Sequence, residues 1–286
     1  MNPDRSISNA LSPGNLPSVV LLGVRLHSVT SREAVDHIAH ALDANRGGWV
    51  FTPNLDIVRM LVSDPEYVRT TARATLRLPD GMPLIWASRL QGTPLKERVA
   101  GSEIIWPLCE RAARDGRRVF LLGGNPGVAE GAAKRLVETY PHLRIVGTEC
   151  PPLGFEKNPA YLRQLESQLV EAAPDICFVG LPAGKQDRLI RQMIDRLPHT
   201  WFLGVGVTFS FVVGEVRKAP PWVRRAGMEW LYRLAQEPRR LGRRYLVLGI
   251  PFAFKLLFAS LIARFRPAAA EPETPAASAP QSSRPL

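Results

Sequence analysis

The chain has 286 residues, 45% of them hydrophobic, and a formal net charge of +11. That length allows one large or two small domains with a substantial core, and the charge calls for an anionic partner: nucleic acid, acidic lipid or a phosphorylated substrate. Its three cysteines, Cys109, Cys150 and Cys177, are scattered and include no Cys-x-x-Cys pair, which argues against a disulfide framework or a zinc site and fits a reducing cytoplasm.

Residues 1–16 are polar and read as a flexible tail, with no basic segment or cleavage site of a signal peptide. Val19 to Val24 reads as a strand. Ser31, Glu33 and the spacing Ala34, Ile38, Ala39, Leu42 predict a capped amphipathic helix. His37 and His40 lie three apart on it, but no further ligand cluster supports a metal site. Trp49–Phe51 is a short strand leading into Thr52-Pro53-Asn54, followed by helices from Leu55 to Val62 and from Pro65 to Ala74. The alternation Ala74, Leu76, Leu78 predicts a strand that ends at Pro79-Asp80-Gly81.

Helices follow over Pro83–Leu90 and Ile104–Arg114, with Arg98 in the Gly- and Pro-punctuated loop between them. Arg118–Leu122 is a buried-type strand, and Gly123-Gly124-Asn125-Pro126-Gly127 then opens a helix that ends near Tyr140. Strands at Leu143–Val146, Ile176–Gly180 and Trp201–Val205 alternate with helices around Pro159–Ala172 and Asp187–Leu197. The pattern predicts an α/β fold, a Rossmann-like core with a largely parallel sheet, over residues 17–215.

Polar punctuation falls just after the strands: Thr52 and Asn54, Asp80, the Gly123–Gly127 loop, Lys185 with Gln186, and Gly206. In a parallel sheet those ends share one edge, where α/β folds bind ligands. Asp-Gly is also a common turn signal, but convergence with four other loops makes Asp80 a candidate acid or base, with Arg98 as a nearby cation. Gly123 and Gly124 could let backbone N–H groups approach a phosphate at a helix N-terminus. They do not complete a Gly-x-Gly-x-x-Gly fingerprint, so an NAD-type oxidoreductase, with Glu149 as a ribose-binding acid, is the weaker alternative. No Walker A sequence, Asp-x-Asp pair or Gly-x-Ser-x-Gly elbow occurs.

Composition changes near Gly214. From Arg217 to Arg244 nine Lys/Arg face only Glu229 and Glu237, interleaved with Trp222, Trp230, Leu231 and Tyr232. Residues 216–245 therefore read as a basic helical appendage. Leu246 to Ala263 is mostly apolar, and residues 246–266 read as a membrane-interface segment. A helix starting at Pro251 and ending near Phe265 would reach about 22 Å, short of the roughly 30 Å bilayer core. The flanking cations likewise favour lying on the membrane over crossing it. Residues 267–286 have the composition of a disordered tail. A basic nucleic-acid-binding protein is the third reading, for which no motif is present.

Several ordered motifs then carry a family resemblance. They are Thr52-Pro53-Asn54, Asp80-Gly81, Gly92-Thr93-Pro94-Leu95 with Glu97-Arg98-Val99, Leu121-Leu122-Gly123-Gly124, Gly180 through Lys185-Gln186, Gly204-Val205-Gly206, Lys218-Ala219-Pro220 and Glu229-Trp230-Leu231-Tyr232-Arg233. From Val19 to Arg244 the chain resembles the WecG/TagA/CpsF family of bacterial glycosyltransferases. The resemblance implies an inverting, metal-independent transfer from a UDP-sugar to an undecaprenyl-diphosphate-linked sugar, peripheral on the cytoplasmic membrane face, without a cofactor. The donor sugar would be of the N-acetylmannosamine, N-acetylmannosaminuronic acid or glucose type.

By that analogy Asp80 is the general base and Arg98 lies near the reacting centre. Thr52, Asn54 and Gln186 line the sugar and nucleotide pocket, and Arg233, Arg240 and Arg243 close over the diphosphates. The implied partners are the UDP-sugar, the lipid-linked acceptor and an anionic inner-membrane surface, not nucleic acid; a homo-oligomer is left open. The chain departs from the family at Pro182-Ala183-Gly184-Lys185-Gln186, where Gly-x-Pro-Lys-Gln is usual. It departs again at Val207 and Ser210, where the family has a glycine and an Asp.

Overall fold

In the computed structural model, residues 16–265 are described. The expected tails at 1–16 and 267–286 lie outside them, except for Leu16, which is buried. The predicted first strand is in fact a hairpin, β1 (Ser18–Leu21) and β2 (Val24–His27), paired antiparallel. Leu22 and Gly23 both have positive φ, 48° and 81°, the backbone a two-residue hairpin turn requires.

Helix α1 (Ser31–Asp43) is capped by Thr30, one residue earlier than expected. The Thr30 hydroxyl accepts from Glu33 N, and the Glu33 carboxylate accepts from Thr30 N, so two free donors are satisfied reciprocally. His37 on this helix is buried, edge-on to the Trp201 ring at 5.8 Å. Among the described residues no group of three His, Cys, Asp or Glu side chains is placed to hold a metal ion.

The main sheet contains β3 (Gly48–Phe51), β4 (Leu76–Arg77), β5 (Arg118–Gly123), β6 (Arg144–Glu149), β7 (Ile176–Gly180) and β8 (Trp201–Gly204). Their order is β4-β3-β8-β7-β5-β6 and every pairing is parallel. Period-two alternation sends Val50, Leu121, Phe178 and Leu203 to one face and Phe51, Phe120, Val179 and Phe202 to the other. Both faces are covered, as a parallel sheet requires.

The first face carries α1, α5 (Gly101–Arg114), α6 (Val128–Thr139) and α9 (Thr208–Val213). The second carries α2 (Leu55–Ser63), α3 (Pro65–Thr71), α4 (Met82–Gln91), α7 (Pro159–Ala172), α8 (Lys185–Met193) and the hairpin. The expected α/β architecture with a parallel core is therefore present, and all six strands direct their C-terminal ends to one edge.

Beyond α9 the chain forms α10 (Pro221–Arg225), α11 (Glu229–Gln236), α12 (Pro238–Gly242), a π-helical stretch (Arg243–Gly249) and α13 (Ile250–Arg264). Here the structure differs from the expected helix start at Pro251, because the helical run is continuous from Pro238 to Arg264, 27 residues. At 1.5 Å per residue it is about 40 Å long, and by length and composition it could cross a membrane. The wider π-helical register just before Pro251 explains how the run continues: the ring has no N–H to give and needs room beside the preceding turn.

One side of α13 is not free. Phe252, Leu256 and Ser260, spaced four apart, are buried, and the helix packs along α4. The opposite side exposes Phe254, Phe258, Leu261, Ile262 and Phe265.

Candidate active site

Strand β4 is only two residues long, yet its pairing continues past the strand. Leu78 N donates to Phe51 O at 2.8 Å, and Asp80 N donates to Pro53 O at 2.9 Å. These bonds fix Asp80 at the carboxyl edge beside the Thr52-Pro53-Asn54 loop. Gly81, with φ 135°, then turns the chain into α4, a backbone that favours glycine.

The loop with Arg98 is anchored on three sides. Val99 N donates to Pro79 O at 2.9 Å, Lys96 N to the Ser28 hydroxyl at 3.1 Å, and Ser31 N to the Glu97 carboxylate at 2.9 Å. Arg98 is thereby held next to Asp80, with Nη1 at 3.8 Å from its carboxylate. The same guanidinium meets Glu103 at 2.6 Å and Glu229 at 3.6 Å. Its side chain is only 15% exposed, so solvent screening of these contacts is limited.

The appendage folds onto this centre. Arg224 of α10 reaches Glu103 at 2.6 Å, and Lys218 donates to Ser102 O at 2.7 Å. Arg233 and Lys218 both stack over the Phe211 ring at 5.6 Å. Asp80 keeps an opening to solvent, its side chain being 29% exposed, but protein crowds it closely. Burial pushes its carboxyl up to about 7; Arg98 opposes the rise, Glu229 and Glu103 add to it, and Arg233 opposes it further. A carboxyl titrating near neutral pH can accept a proton in one step and release it in the next.

Thr52 and Gln186 meet at the end of β8. The Thr52 hydroxyl donates to Gly204 O at 3.2 Å, and Gly206 N donates to the Gln186 amide oxygen at 3.3 Å. Gln186 is buried against Gly204, where a Cβ would stand 2.4 Å from its amide nitrogen. A side chain at 204 would force the buried Gln186 amide to shift. The next residue, Asp187, is fully buried and accepts from the Tyr67 hydroxyl at 2.5 Å and from Gly184 N at 3.0 Å. Burial pushes the Asp187 carboxyl above its usual range, against these hydrogen bonds. Gly184, where the chain departs from the expected loop pattern, has φ 83° and supplies the tight turn before α8.

Asn54 spends its side-chain oxygen on capping α2, accepting from Asp56 N and Ile57 N at 3.1 Å each, so that any ligand contact would fall to its NH2. Gly123 closes on Gly180, and Gly124 N is already bonded to Gly180 O at 2.8 Å. A phosphate cradle there would have to use other amides of the loop. Ser210, where an Asp was expected, donates to Glu215 at 2.6 Å, and the Asn125 amide donates to the same carboxylate at 3.3 Å. A carboxylate is thus held next to position 210 by a residue five places later.

Of the three appendage arginines, Arg233 lies close enough for its charge to act on Asp80. Arg240 is 60% exposed and paired with Glu237, and Arg243 is exposed. Sequence reasoning missed Glu103, Glu229, Lys218 and Arg224. Two of these stood inside quoted motifs, Lys218-Ala219-Pro220 and Glu229-Trp230, and motif position was the only signal.

A carboxyl pushed up to about 7, beside Arg98 and among Glu103, Glu229 and Arg233 at the carboxyl edge of a parallel sheet, suits a group-transfer enzyme, and this protein is a glycosyltransferase. The Glycosyl transferase WecG/TagA/CpsF family matches residues 19–266, and the chain belongs to that family. Two relatives carry the name N-acetylglucosaminyldiphosphoundecaprenol N-acetyl-beta-D-mannosaminyltransferase. The one from Bacillus subtilis (strain 168) is 29% identical over 212 residues, 74% of this chain and 79% of the relative. The one from Bacillus spizizenii (strain ATCC 23059 / NRRL B-14472 / W23) is 30% identical over 210 residues, 73% and 78% respectively.

Proposed function

We propose that the protein transfers an N-acetylmannosamine-type sugar from a UDP-sugar to an N-acetylglucosamine carried on an undecaprenyl-type diphosphate lipid. The relatives' names support the acceptor and the sugar. The observation that carries the reaction is Asp80, a carboxylate of raised proton affinity beside Arg98 and within the field of Arg233.

The acceptor hydroxyl attacks the donor's C1 while Asp80 takes its proton. A new C1–O bond forms as the C1–O bond to UDP breaks, and UDP leaves with the electron pair. Attack opposite the leaving group inverts C1. Negative charge grows on the departing diphosphate, and fixed guanidinium groups stabilise it without reorganising. In this reading Arg233 supplies that charge, joined by Arg240 and Arg243 further along the chain, in a metal-independent transfer. Thr52, the Asn54 amide and Gln186 hold the donor.

The lipid acceptor calls for a membrane surface. The Phe254, Phe258, Leu261 and Phe265 side of α13, together with exposed Trp222 and Leu231, supports an interfacial attachment. The opposite side of α13 is engaged with α4, so crossing the bilayer would strip that packing. In this reading the helix lies in the membrane surface, on the cytoplasmic side. Incubation with a panel of UDP-sugars and a short-chain diphospholipid bearing N-acetylglucosamine tests the reading by product mass. The expected product gains one N-acetylhexosamine from UDP-N-acetylmannosamine; no product from any UDP-sugar would overturn it.

A further inference from the structure

Arg98 meets three carboxylates at unequal distances: Glu103 at 2.6 Å, Glu229 at 3.6 Å and Asp80 at 3.8 Å. An arginine paired closely with a catalytic carboxylate would keep that carboxylate ionised and make it a poor base. Here the strongest contact goes elsewhere. We propose that Glu229, brought in by the appendage helix α11, acts with Glu103 as a positioning residue, the two holding the Arg98 guanidinium off Asp80 so that Asp80 is left to take the acceptor's proton. The inference rests on the reading of Asp80 as the base.

The charged groups facing Asp80 are Arg98 from its loop, Glu103 from α5, and Glu229 and Arg233 from α11. The two glutamates raise its proton affinity and the two arginines lower it. Glu103 is itself gripped by Arg224 of α10 at 2.6 Å, through the same oxygen that takes Arg98. Lys218 sits on the neighbouring Ser102 carbonyl. Four of the groups that shape the centre, Lys218, Arg224, Glu229 and Arg233, thus come from beyond residue 216. With the appendage undocked, Arg98 would have Asp80 and Glu103 alone to share, and Asp80 would become the weaker base. Docking of the appendage therefore contributes, through Glu229, to the basicity of a carboxylate that lies about 150 residues earlier in the chain.

The test is Glu229→Gln in the full chain, which removes the charge and keeps the shape. Two readouts are followed: the acidic limb of transfer rate against pH, and the titration of the Asp80 carboxyl by carbon NMR of aspartate-labelled protein, assigned by its loss in Asp80→Asn. Both midpoints should move down by about half a pH unit or more. Glu103→Gln should move them the same way and Arg98→Gln should move the NMR midpoint up, with circular dichroism establishing that each variant is folded. An Asp80 midpoint unmoved or raised in folded Glu229→Gln would overturn the proposal, as would an unmoved or lowered midpoint in Arg98→Gln. Wild-type turnover by Asp80→Asn would instead overturn the base assignment, while the NMR titration would still report whether Glu229 acts on Asp80.

Discussion

The carboxyl edge of the sheet and the C-terminal appendage meet at Arg98, yet they are built in opposite ways. The edge is held by backbone: Asp80, Thr52 and Gln186 are placed through strand ends, a close glycine approach and buried hydrogen bonds. The appendage has short helices and no buried residue in α11; it meets the core through long charged side chains and buries Ala219, Val223 and Leu241. It is also tied to the body through Arg244 on Asp56 at 2.9 Å and through the buried side of α13. Geometry of the reacting group comes from the backbone-held, rigid part, and the surrounding charge comes from both: Arg98 and Glu103 from the body, Glu229 and Arg233 from the appendage.

The largest expected effect falls on the rigid part. Asp80→Asn should slow transfer by about 10²–10⁴-fold, the usual weight of a general base, while UDP affinity by calorimetry stays near wild type. Next comes the charge at the junction. Arg233→Ala should reduce transfer by about 10–100-fold, in line with the loss of a charge-assisted hydrogen bond. Arg240→Ala and Arg243→Ala, further from Asp80, should cost less. Equal losses at all three positions in single-turnover assays would erase the gradient that the structure implies.

The third test separates membrane attachment from chemistry. Phe254→Asp with Phe258→Asp should weaken co-sedimentation with anionic vesicles while leaving the thermal unfolding midpoint within a few degrees, since both side chains are exposed. Unchanged vesicle binding would count against the interfacial placement of α13. The smallest effect belongs to the support beneath Gln186. Tyr67→Phe removes a donor to buried Asp187 and should lower stability by about 1–3 kcal/mol in urea denaturation, with transfer affected far less than by Asp80→Asn.

Much of the rigid part was legible because local rules carried it. Period-two alternation and strand-end punctuation located Asp80, Thr52 and Gln186, and helix spacing located most of the helices between the strands. The hairpin at Leu22-Gly23 was missed because Gly23 is a single turn signal inside an otherwise apolar run, and the residue before it that shares the turn, Leu22, is not a turn former. The convergence of Glu103 and Glu229 on Arg98 was not legible at all: the two glutamates lie 126 residues apart, and no local pattern encodes a contact of that range. Helix continuity through Pro251 was likewise hidden, since the π-helical stretch that accommodates the ring has no sequence mark. The Asn54 cap and the engaged Gly124 amide illustrate a further limit. Residue type named the chemistry, but the hydrogen bonds already made decide which atoms are left for a ligand.

The most direct measurement of the central claim is the pH dependence of kcat/KM for the full chain on vesicles. With Asp80 as a base whose carboxyl is pushed up to about 7, the rate should fall as pH drops below that point, tending toward tenfold per unit as the carboxylate is protonated, and the residual rate of Asp80→Asn should lack that limb. A flat wild-type profile between pH 5 and 8, or the same limb persisting in Asp80→Asn, would contradict the account.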